Sequence, residues 1–347
     1  MKRPLSAHNR RARAALLWTA GLFLAAQLVG GFLLDTVGQA IRFPSAAHVL
    51  ERVEQGERPA VICLGSSRFA HGLNESLLKE GLTRELGGAG PAILNASVPA
   101  GDQVSSDYIL QKLLAEGVRP RLALVEVTPE SLNACNTWLN VHVQRQLGWE
   151  DLPRFGREIF QANQLLRLVK ARLLPLYLHR RQLLRESWEA VRPESETPAE
   201  KIPDAAVAEI VRNLRKEPPR SQAAAIQHGA SQVPRWLRNY SVGGTSAAAL
   251  ERVLRRCAEH GVTVVLVAPP VTAAHRAAYT PPIDAAFSAY VTQLAPRHGC
   301  RLVSHRDRLP DELFIDNHHL STAGGRTWSE IVAAEVLAPA WRRMDGP

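Results

Sequence analysis

The sequence has few cysteines and no Cys-x-x-Cys pair. Its four cysteines, Cys63, Cys135, Cys257 and Cys300, are widely separated. Structural zinc sites place thiolates a few residues apart, so this spacing excludes the common zinc-binding modules. Cys63 lies in an apolar run and is predicted to be a packed core residue. An exported location would allow a disulfide among the others, in a pairing that the sequence does not decide. We expect neither a metal nor an organic cofactor.

Acidic residues are absent before Asp35. Five of the nine net positive charges therefore belong to a basic N-terminal tip, and residues 35–347 carry only +4. The five residues are Lys2, Arg3, Arg10, Arg11 and Arg13. A charge confined to one tip does not make the basic surface that binds nucleic acid, so we exclude nucleic acid as an expected partner.

Charged residues are also absent from the apolar run Ala14–Leu34. A helix of roughly 20 apolar residues crosses a bilayer, and a preceding basic tip places the N-terminus in the cytoplasm. We predict an uncleaved signal anchor in the inner membrane, with the rest of the chain periplasmic or extracellular. A cleaved signal peptide is the alternative, but the nearest small-x-small site, Gly38–Ala40, lies beyond the run. A buried helix is a third option and would not need the basic flank.

Short apolar runs alternate with helical patterns after residue 58. Strands are predicted at 60–65, 92–98, 122–127, 262–268 and 301–304, and helices at 69–86, 107–116, 247–260 and 284–298, with Asn74 as an N-cap. This alternation predicts a mostly parallel sheet covered on both faces, a three-layer α/β/α fold. The predicted organisation is a tip (1–13), an anchor (14–34), a connector (35–58), two domain halves (59–134 and 245–347) and a helical insertion (135–244) with a flexible stretch at 192–203.

Groups with catalytic chemistry follow the ends of the first and last strands. Gly65-Ser66-Ser67-Arg68 follows the first, and Asp316-Asn317-His318-His319 follows the last. Open α/β sheets bind ligands at the carboxyl ends of their strands. A serine hydroxyl becomes nucleophilic when a histidine takes its proton and a carboxylate orients that histidine. We predict Ser67 as nucleophile, His319 as base and Asp316 as orienting group.

Structural roles are open for the same residues. Ser66 could be the nucleophile, since the choice between the two serines rests on register alone, and His318 could replace His319. Serine is also a favoured helix cap, and aspartate often caps loops. The basic residues of 167–185 are predicted to form a solvated helix face, with anionic headgroups or an acidic polymer as alternative partners.

The motifs resemble those of the SGNH/GDSL hydrolase superfamily, in particular its membrane-anchored branch, which includes alginate O-acetylation proteins and DltD-like proteins. Gly65-Ser66-Ser67 matches the first block of that branch. Asp316-x-x-His319-Leu320 with Gly324-Gly325 matches the last, and Asn95 through Gly101 fits the second. The resemblance covers about 59–135 and 245–335. It implies a flavodoxin-like three-layer fold, an acyl-serine intermediate and no cofactor.

The third block departs from the superfamily. An asparagine that donates to the oxyanion is expected after the third strand, where this chain has Glu126-Val127-Thr128-Pro129-Glu130. One oxyanion donor is worth about 3 kcal/mol in the transition state. The donors left for an oxyanion hole are the backbone N–H groups of Ser67, Ala100 and Gly101, with Thr128 as a further candidate.

The resemblance implies an esterase or O-acyltransferase acting on acyl, notably acetyl, esters of an exopolysaccharide or envelope glycan. The expected partners are that carbohydrate polymer and a membrane O-acyltransferase. Two alternatives stay open. One is a lysophospholipase or small-ester esterase. The other is a non-catalytic assembly or glycan-binding protein, which the missing asparagine favours and the complete Ser/His/Asp set opposes.

Overall fold

The computed structural model describes residues 7–36, 38–135, 165–191 and 221–345, together with residues 153, 156, 159 and 160. Five strands are present in these ranges: β1 Val61–Leu64, β2 Ile93–Asn95, β3 Leu122–Glu126, β4 Thr263–Ala268 and β5 Arg301–Ser304. The helices before β3 are α1 Ala7–Thr36, α2 Gln39–Arg42, α3 Pro44–Glu54, α4 Ser67–Gly72, α5 Glu75–Leu86 and α6 Gln103–Ala115.

The remaining described helices follow β3. They are α7 Pro129–Leu132, α8 Leu165–Leu173, α9 Pro175–Val191, α10 Gln222–Ala230, α11 Val233–Trp236, α12 Gly244–Glu259, α13 Ala273–Arg276, α14 Pro281–His298, α15 Thr322–Val332 and α16 Ala338–Asp345. A 3₁₀ turn, Asp311–Leu313, lies between β5 and α15, and a π-helical turn, Ala333–Leu337, joins α15 to α16.

The five strands form one parallel sheet in the order β2-β1-β3-β4-β5. This is the flavodoxin-like order, in which the direction of winding changes between β1 and β3. The predicted α/β fold with a parallel sheet is therefore confirmed. Each predicted strand is present, although β2 covers only Ile93–Asn95 of the predicted 92–98. Strands β1 to β4 are largely buried apolar runs, which mark parallel strands well, whereas β5 is a partly exposed edge strand.

Both faces of the sheet are covered. Alternate strand residues such as Cys63, Leu124 and Val267 belong to one buried core that also contains residues of α5, α15 and α16. The residues between them point to the opposite face, because side chains alternate along a strand. Helices α6 and α12 contact each other and also touch β1 and β4, and neither contributes to that first core. They form the third layer.

Helix ends differ from the prediction mainly at the N-terminal side. Helix α6 was expected to begin at Asp107 but begins at Gln103, because the Asp102 carboxylate accepts the N–H groups of Val104 and Ser105 as an N-cap. Helices α12 and α14 each begin three residues early, at Gly244 and Pro281. The N-cap predicted at Asn74 is confirmed, since its side chain accepts the Leu77 N–H.

The chain divides into two compact units, Met1–Pro44 with Gln144–Lys201, and Ser45–Val143 with Ile202–Pro347. The first contains α1, of which Arg11–Thr36 is long and apolar enough to cross a membrane. The second contains the sheet. The finer domain boundaries stay predictions, and the flexible stretch expected at 192–203 lies outside the described residues. All four cysteines are free, and Cys63 is buried in the core, as predicted.

Candidate active site

Ser66 and Ser67 lie where β1 turns into α4. Ser66 is the N-cap of α4, and its hydroxyl accepts the Arg68 N–H at 3.2 Å. The same hydroxyl donates to the Glu126 carboxylate at 2.8 Å, and the Ser66 N–H donates to it at 2.7 Å. Glu126 ends the neighbouring strand β3. The Ser66 hydroxyl is therefore used in hydrogen bonds that stabilise the turn. Ser67 is the first residue of α4.

The loop Asp316–His319 follows β5 and is fixed at both ends. The Ile315 N–H donates to the His319 carbonyl at 2.9 Å, and the Thr272 hydroxyl donates to the Asn317 carbonyl at 3.0 Å. The Asp316 carboxylate accepts the N–H groups of His318 and His319 at 2.9 and 2.8 Å. The carboxylate thus caps the loop, and its other oxygen is left for a side chain.

Ser67, His319 and Asp316 form one hydrogen-bonded line. Ser67 Oγ lies 2.8 Å from His319 Nε2, and His319 Nδ1 lies 2.7 Å from Asp316 Oδ2. Because a carboxylate only accepts, the imidazole proton sits on Nδ1 and Nε2 presents its lone pair to the hydroxyl. Burial raises the pKa of Asp316, but the hydrogen bond from His319 and the adjacent histidines outweigh it and hold that pKa below its usual range. The carboxylate is ionised at neutral pH.

A second line of polar groups ends beside this one. Glu130 is fully buried and accepts from His275 Nε2, from Tyr279 at 2.8 Å and from Arg68 at 3.3 Å. His275 Nδ1 lies 2.7 Å from the Asn317 amide nitrogen, and the Asn317 amide oxygen lies 2.9 Å from His318 Nδ1. An amide nitrogen only donates, so His275 carries its proton on Nε2 and His318 carries its proton on Nδ1.

The second line keeps His318 neutral beside His319. The two rings lie 4.0 Å apart between centroids. Burial, together with the nearby His319 and Arg68, holds the pKa of His318 well below its ordinary range. Burial also raises the pKa of Glu130, but Arg68 and His275 reverse this and keep that carboxyl ionised. Of the two neighbouring rings, His319 is therefore the one that can accept a proton from Ser67, because a positive charge on His318 would be buried without compensation.

The predicted oxyanion donors are only partly available. Ser67 begins α4, so its N–H has no acceptor within the helix. The turn Val98–Gly101 lies against the end of β1, with the Val98 N–H donating to the Gly65 carbonyl at 2.9 Å. Within this turn the Gly101 N–H donates to the Val98 carbonyl at 2.7 Å, so it is engaged, whereas Ala100 is held at φ 57. The Thr128 hydroxyl caps α7 by accepting the Ser131 N–H, so the cap does not use its O–H. The N–H groups of Ser67 and Ala100 are left for the role, with the Thr128 O–H as a further candidate.

Asp102 follows this turn, and its burial leads us to expect that the stability of the folded protein depends on pH. It is 4% exposed, and burial raises its pKa from 3.8 to about 6, against the opposing hydrogen bonds from Ser105 and Val104. The folded state then binds the proton more tightly than the unfolded state, so this contribution is full below pH 4 and is lost as the pH rises through 6.

Asp102→Asn keeps a cap acceptor and removes the charge. Relative to the wild type, the variant should gain about 3 kcal/mol of unfolding free energy between pH 4 and pH 7, since one pKa unit corresponds to ~1.4 kcal/mol. Denaturant unfolding across this range measures the difference. Parallel pH curves for the two proteins would contradict the prediction.

Three neighbouring residues have the composition of a metal site. Asp316, His318 and His319 place one ligand atom each within 4.8 Å of one another, the only such group among the described residues. Both nitrogens of His319 are already engaged, with Ser67 and Asp316, and His318 Nδ1 is engaged with Asn317. This arrangement matches proton transfer better than metal ligation.

Sequence reasoning missed the buried polar residues around the triad. Glu126 and Glu130 were noted only as departures from a motif, and the roles of His275, Tyr279 and Asn317 were not predicted. One signal was present: a glutamate ends the otherwise apolar run LALVE, where a charge requires a buried partner. The Trp236 ring, which lies 5.8 Å from that of His318, was also not predicted.

Comparisons with known proteins add little to this geometry. No protein-family model and no curated protein matches the chain. Among solved structures, the chain is similar to LAE5, described as an alpha/beta hydrolase enzyme from the metagenome of Lake Arreo, Spain. The match has 11% identity and a TM-score of 0.37, and it covers 81% of this chain and 96% of LAE5. A likeness of this size decides neither family nor activity. The α/β fold follows from the strand order of this chain itself.

Proposed function

We propose that this chain is a membrane-anchored serine esterase or O-acyltransferase of the SGNH/GDSL type. The observation that carries the proposal is the hydrogen-bonded line from Ser67 through His319 to Asp316. A capping role alone explains the hydrogen bonds of Ser66 and of one carboxylate oxygen of Asp316. It does not explain why the next hydroxyl along the chain meets an imidazole that a carboxylate orients. The α1 helix supports the anchor, with the sheet domain on the periplasmic or extracellular side.

The reaction proceeds through an acyl-serine. Ser67 Oγ attacks the ester carbonyl while its proton passes to His319 Nε2, and Asp316 stabilises the imidazolium. The oxyanion forms near the N–H groups of Ser67 and Ala100 and collapses with loss of the alcohol, which takes the proton from His319. An acceptor hydroxyl, from a carbohydrate or from water, then gives its proton to His319 and attacks the acyl-serine. The second tetrahedral intermediate expels Ser67 Oγ, which takes the proton back from His319.

The substrate class follows from the resemblance of the motifs. The acyl group is acetyl, and the ester or acceptor belongs to an exopolysaccharide or envelope glycan. A membrane O-acyltransferase is the proposed partner that supplies the acyl group. Anchoring supports this arrangement because it keeps the domain beside such a partner in the same bilayer.

A fluorophosphonate probe tests the nucleophile without knowledge of the acceptor. The probe traps an activated serine, so the full-length protein should be labelled at Ser67 and the Ser67→Ala variant should not be. Ser66→Ala is the matched control, since that hydroxyl is bonded to Glu126 and should not react. Mass spectrometry of the labelled peptide distinguishes the two serines. Labelling that persists in Ser67→Ala would refute the assignment.

A non-catalytic glycan-binding role is the second candidate, and one observation favours it. The Gly101 N–H is engaged with the Val98 carbonyl and no asparagine follows β3, which leaves the N–H groups of Ser67 and Ala100 and the Thr128 hydroxyl as oxyanion donors. If the wild-type protein resists the probe, this role is preferred. If the probe reacts, the acyl-serine mechanism is preferred.

A further inference from the structure

Helices α8 and α9 pack against the N-terminal helix α1 within the first compact unit. They are consecutive, and the chain bends at Leu174, the one residue between them. This bent pair of helices, residues 165–184, is called the hairpin here. The length and composition of α1 suit a membrane span. The position of the hairpin along α1 therefore determines whether these residues meet water or lipid.

The tip of the hairpin contacts the apolar part of α1. The Leu176 N–H donates to the Gln27 side chain at 3.1 Å, and Gln27 is 6% exposed. Leu176 lies in the first turn of α9, where N–H groups have no intrahelical acceptor. Such a group costs several kcal/mol in hydrocarbon when it is unsatisfied. The presence of the polar Gln27 side chain inside an uncharged run is explained if it accepts the Leu176 N–H within the lipid.

Small residues allow this close approach. A Cβ at Gly30 would lie 2.5 Å from Leu176, and one at Gly31 would lie 3.0 Å from Pro175. Helix pairs in membranes are rich in small residues at contacts of this kind, because packing rather than water expulsion holds them together.

The depth of the tip follows from the ion pairs at the end of α1. Asp35 closes the apolar run and binds Arg172 at 3.0 Å and Arg42 at 2.7 Å, which marks the polar boundary. Gln27 is eight residues earlier, about 12 Å along a helix with a 1.5 Å rise per residue. Helix α9 also contacts α2, which contains the Arg42 of this boundary. Both helices of the hairpin therefore touch the polar boundary, as expected for a segment confined to one half of a bilayer.

The outward face of α8 is apolar. Leu165, Leu166, Val169 and Leu173 are all between 42% and 67% exposed and occupy helix positions i, i+1, i+4 and i+8, which make one stripe. Leu168 and Arg172 lie on the other side, toward α1. Among the described residues nothing covers the stripe.

The charge of the hairpin indicates which lipid it meets. Residues 165–184 contain five arginines and lysines and no acidic residue. The Arg180 guanidinium lies 4.0 Å above the Tyr177 ring. Long arginine and lysine side chains reach from a buried helix to the headgroup level, and basic amphipathic helices bind anionic membranes.

We propose that residues 165–184 form a membrane-embedded hairpin that lies in the outer half of the bilayer against α1 and binds anionic phospholipid. The proposal rests on the membrane anchor of the proposed function. It adds a second point of attachment, with the α8 stripe in hydrocarbon and the basic residues among headgroups.

Depth-dependent quenching tests the proposal with the full chain. An environment-sensitive fluorophore is attached to Leu166→Cys or Val169→Cys, with Cys135 and Cys300 changed to serine, in nanodiscs of phosphatidylcholine and phosphatidylglycerol that carry spin-labelled lipid. Both positions should be quenched several-fold more by the lipid than Glu116→Cys, an exposed position in the sheet domain. Leu24→Cys on α1 reports the anchor itself.

The outcomes separate the two proposals. Quenching at positions 24, 166 and 169 supports the hairpin. Quenching at 24 alone overturns the hairpin and leaves the anchor, and no quenching at 24 overturns the anchor. Positions 166 and 169 that are shielded from both lipid and aqueous quencher would indicate contact with a second copy, which also overturns the proposal.

One variant and one change of lipid add independent readouts. Gln27→Leu leaves the Leu176 N–H without its acceptor and should shift the fluorophore at 169 toward shallower spin labels. Replacing phosphatidylglycerol by phosphatidylcholine should reduce quenching at 166 and 169 but not at 24. An unchanged quenching depth in Gln27→Leu would overturn the contact between Gln27 and the hairpin. Unchanged quenching after the lipid replacement would overturn the preference for anionic lipid.

Discussion

Replacing Asp316 with asparagine is expected to lower the turnover of p-nitrophenyl acetate by about 10⁴-fold, because the amide no longer selects the imidazole tautomer with its proton on Nδ1. His319 would then present an N–H instead of a lone pair to Ser67. The 2.7 Å contact between Asp316 and His319 is the structural basis of this expectation. The acylation rate constant, measured with the full-length protein in detergent, reports the effect.

Ser67→Ala and His319→Ala should each remove at least as much activity, and the double variant should lose little more than either one. Groups that act as a unit are strongly non-additive, since removing one makes the others useless. His260→Ala is the matched control, since His260 is exposed and lies at the end of α12. Hydrolysis that survives in Ser67→Ala, or single losses that multiply in the double variant, would show that the three residues do not form one catalytic unit.

The sheet was predictable because its strands are local signals. Each is a short apolar run that ends at glycine, proline or a polar residue, and these boundaries depend only on neighbours in sequence. The start of α6 was not predictable in this way, because Asp102 follows a glycine turn and its role as a cap depends on that turn. The strand order is also not a local property, since it depends on which helices cover which face.

The juxtaposition of Ser67 with the Asp316 loop followed from one rule, that parallel strands end at a common edge. The choice between Ser66 and Ser67 did not follow, because it depends on Glu126 and on which hydroxyl that carboxylate engages. The second polar line was beyond sequence reasoning for a related reason. Glu130, His275 and Asn317 come from three separate segments, and a buried polar residue reveals its partner only when the fold brings the two together.

Removing the negative charge of Glu130 should give the largest loss of stability in the sheet domain. Glu130 is fully buried, and it pairs with Arg68, which is itself 4% exposed. In Glu130→Gln the guanidinium keeps its charge in a low-dielectric environment without this partner. Breaking a buried pair from one side typically costs ~3–5 kcal/mol, because the remaining ion is uncompensated. Denaturant unfolding of the full chain, followed by the fluorescence of the buried Trp328, measures the loss.

The double variant Arg68→Met with Glu130→Gln tests whether the loss comes from the stranded charge. Methionine fills similar space without a charge, and replacing both members of a buried pair is often close to neutral. The double variant should therefore be more stable than Glu130→Gln alone, even though it contains one more substitution. Arg68 Nη1 has no partner among the described residues, so its removal breaks only the contact with Glu130 in that side-chain network. Stability losses that simply add would mean that Glu130 acts mainly through His275 and Tyr279, and that the second polar line, not the ion pair, holds this part of the core.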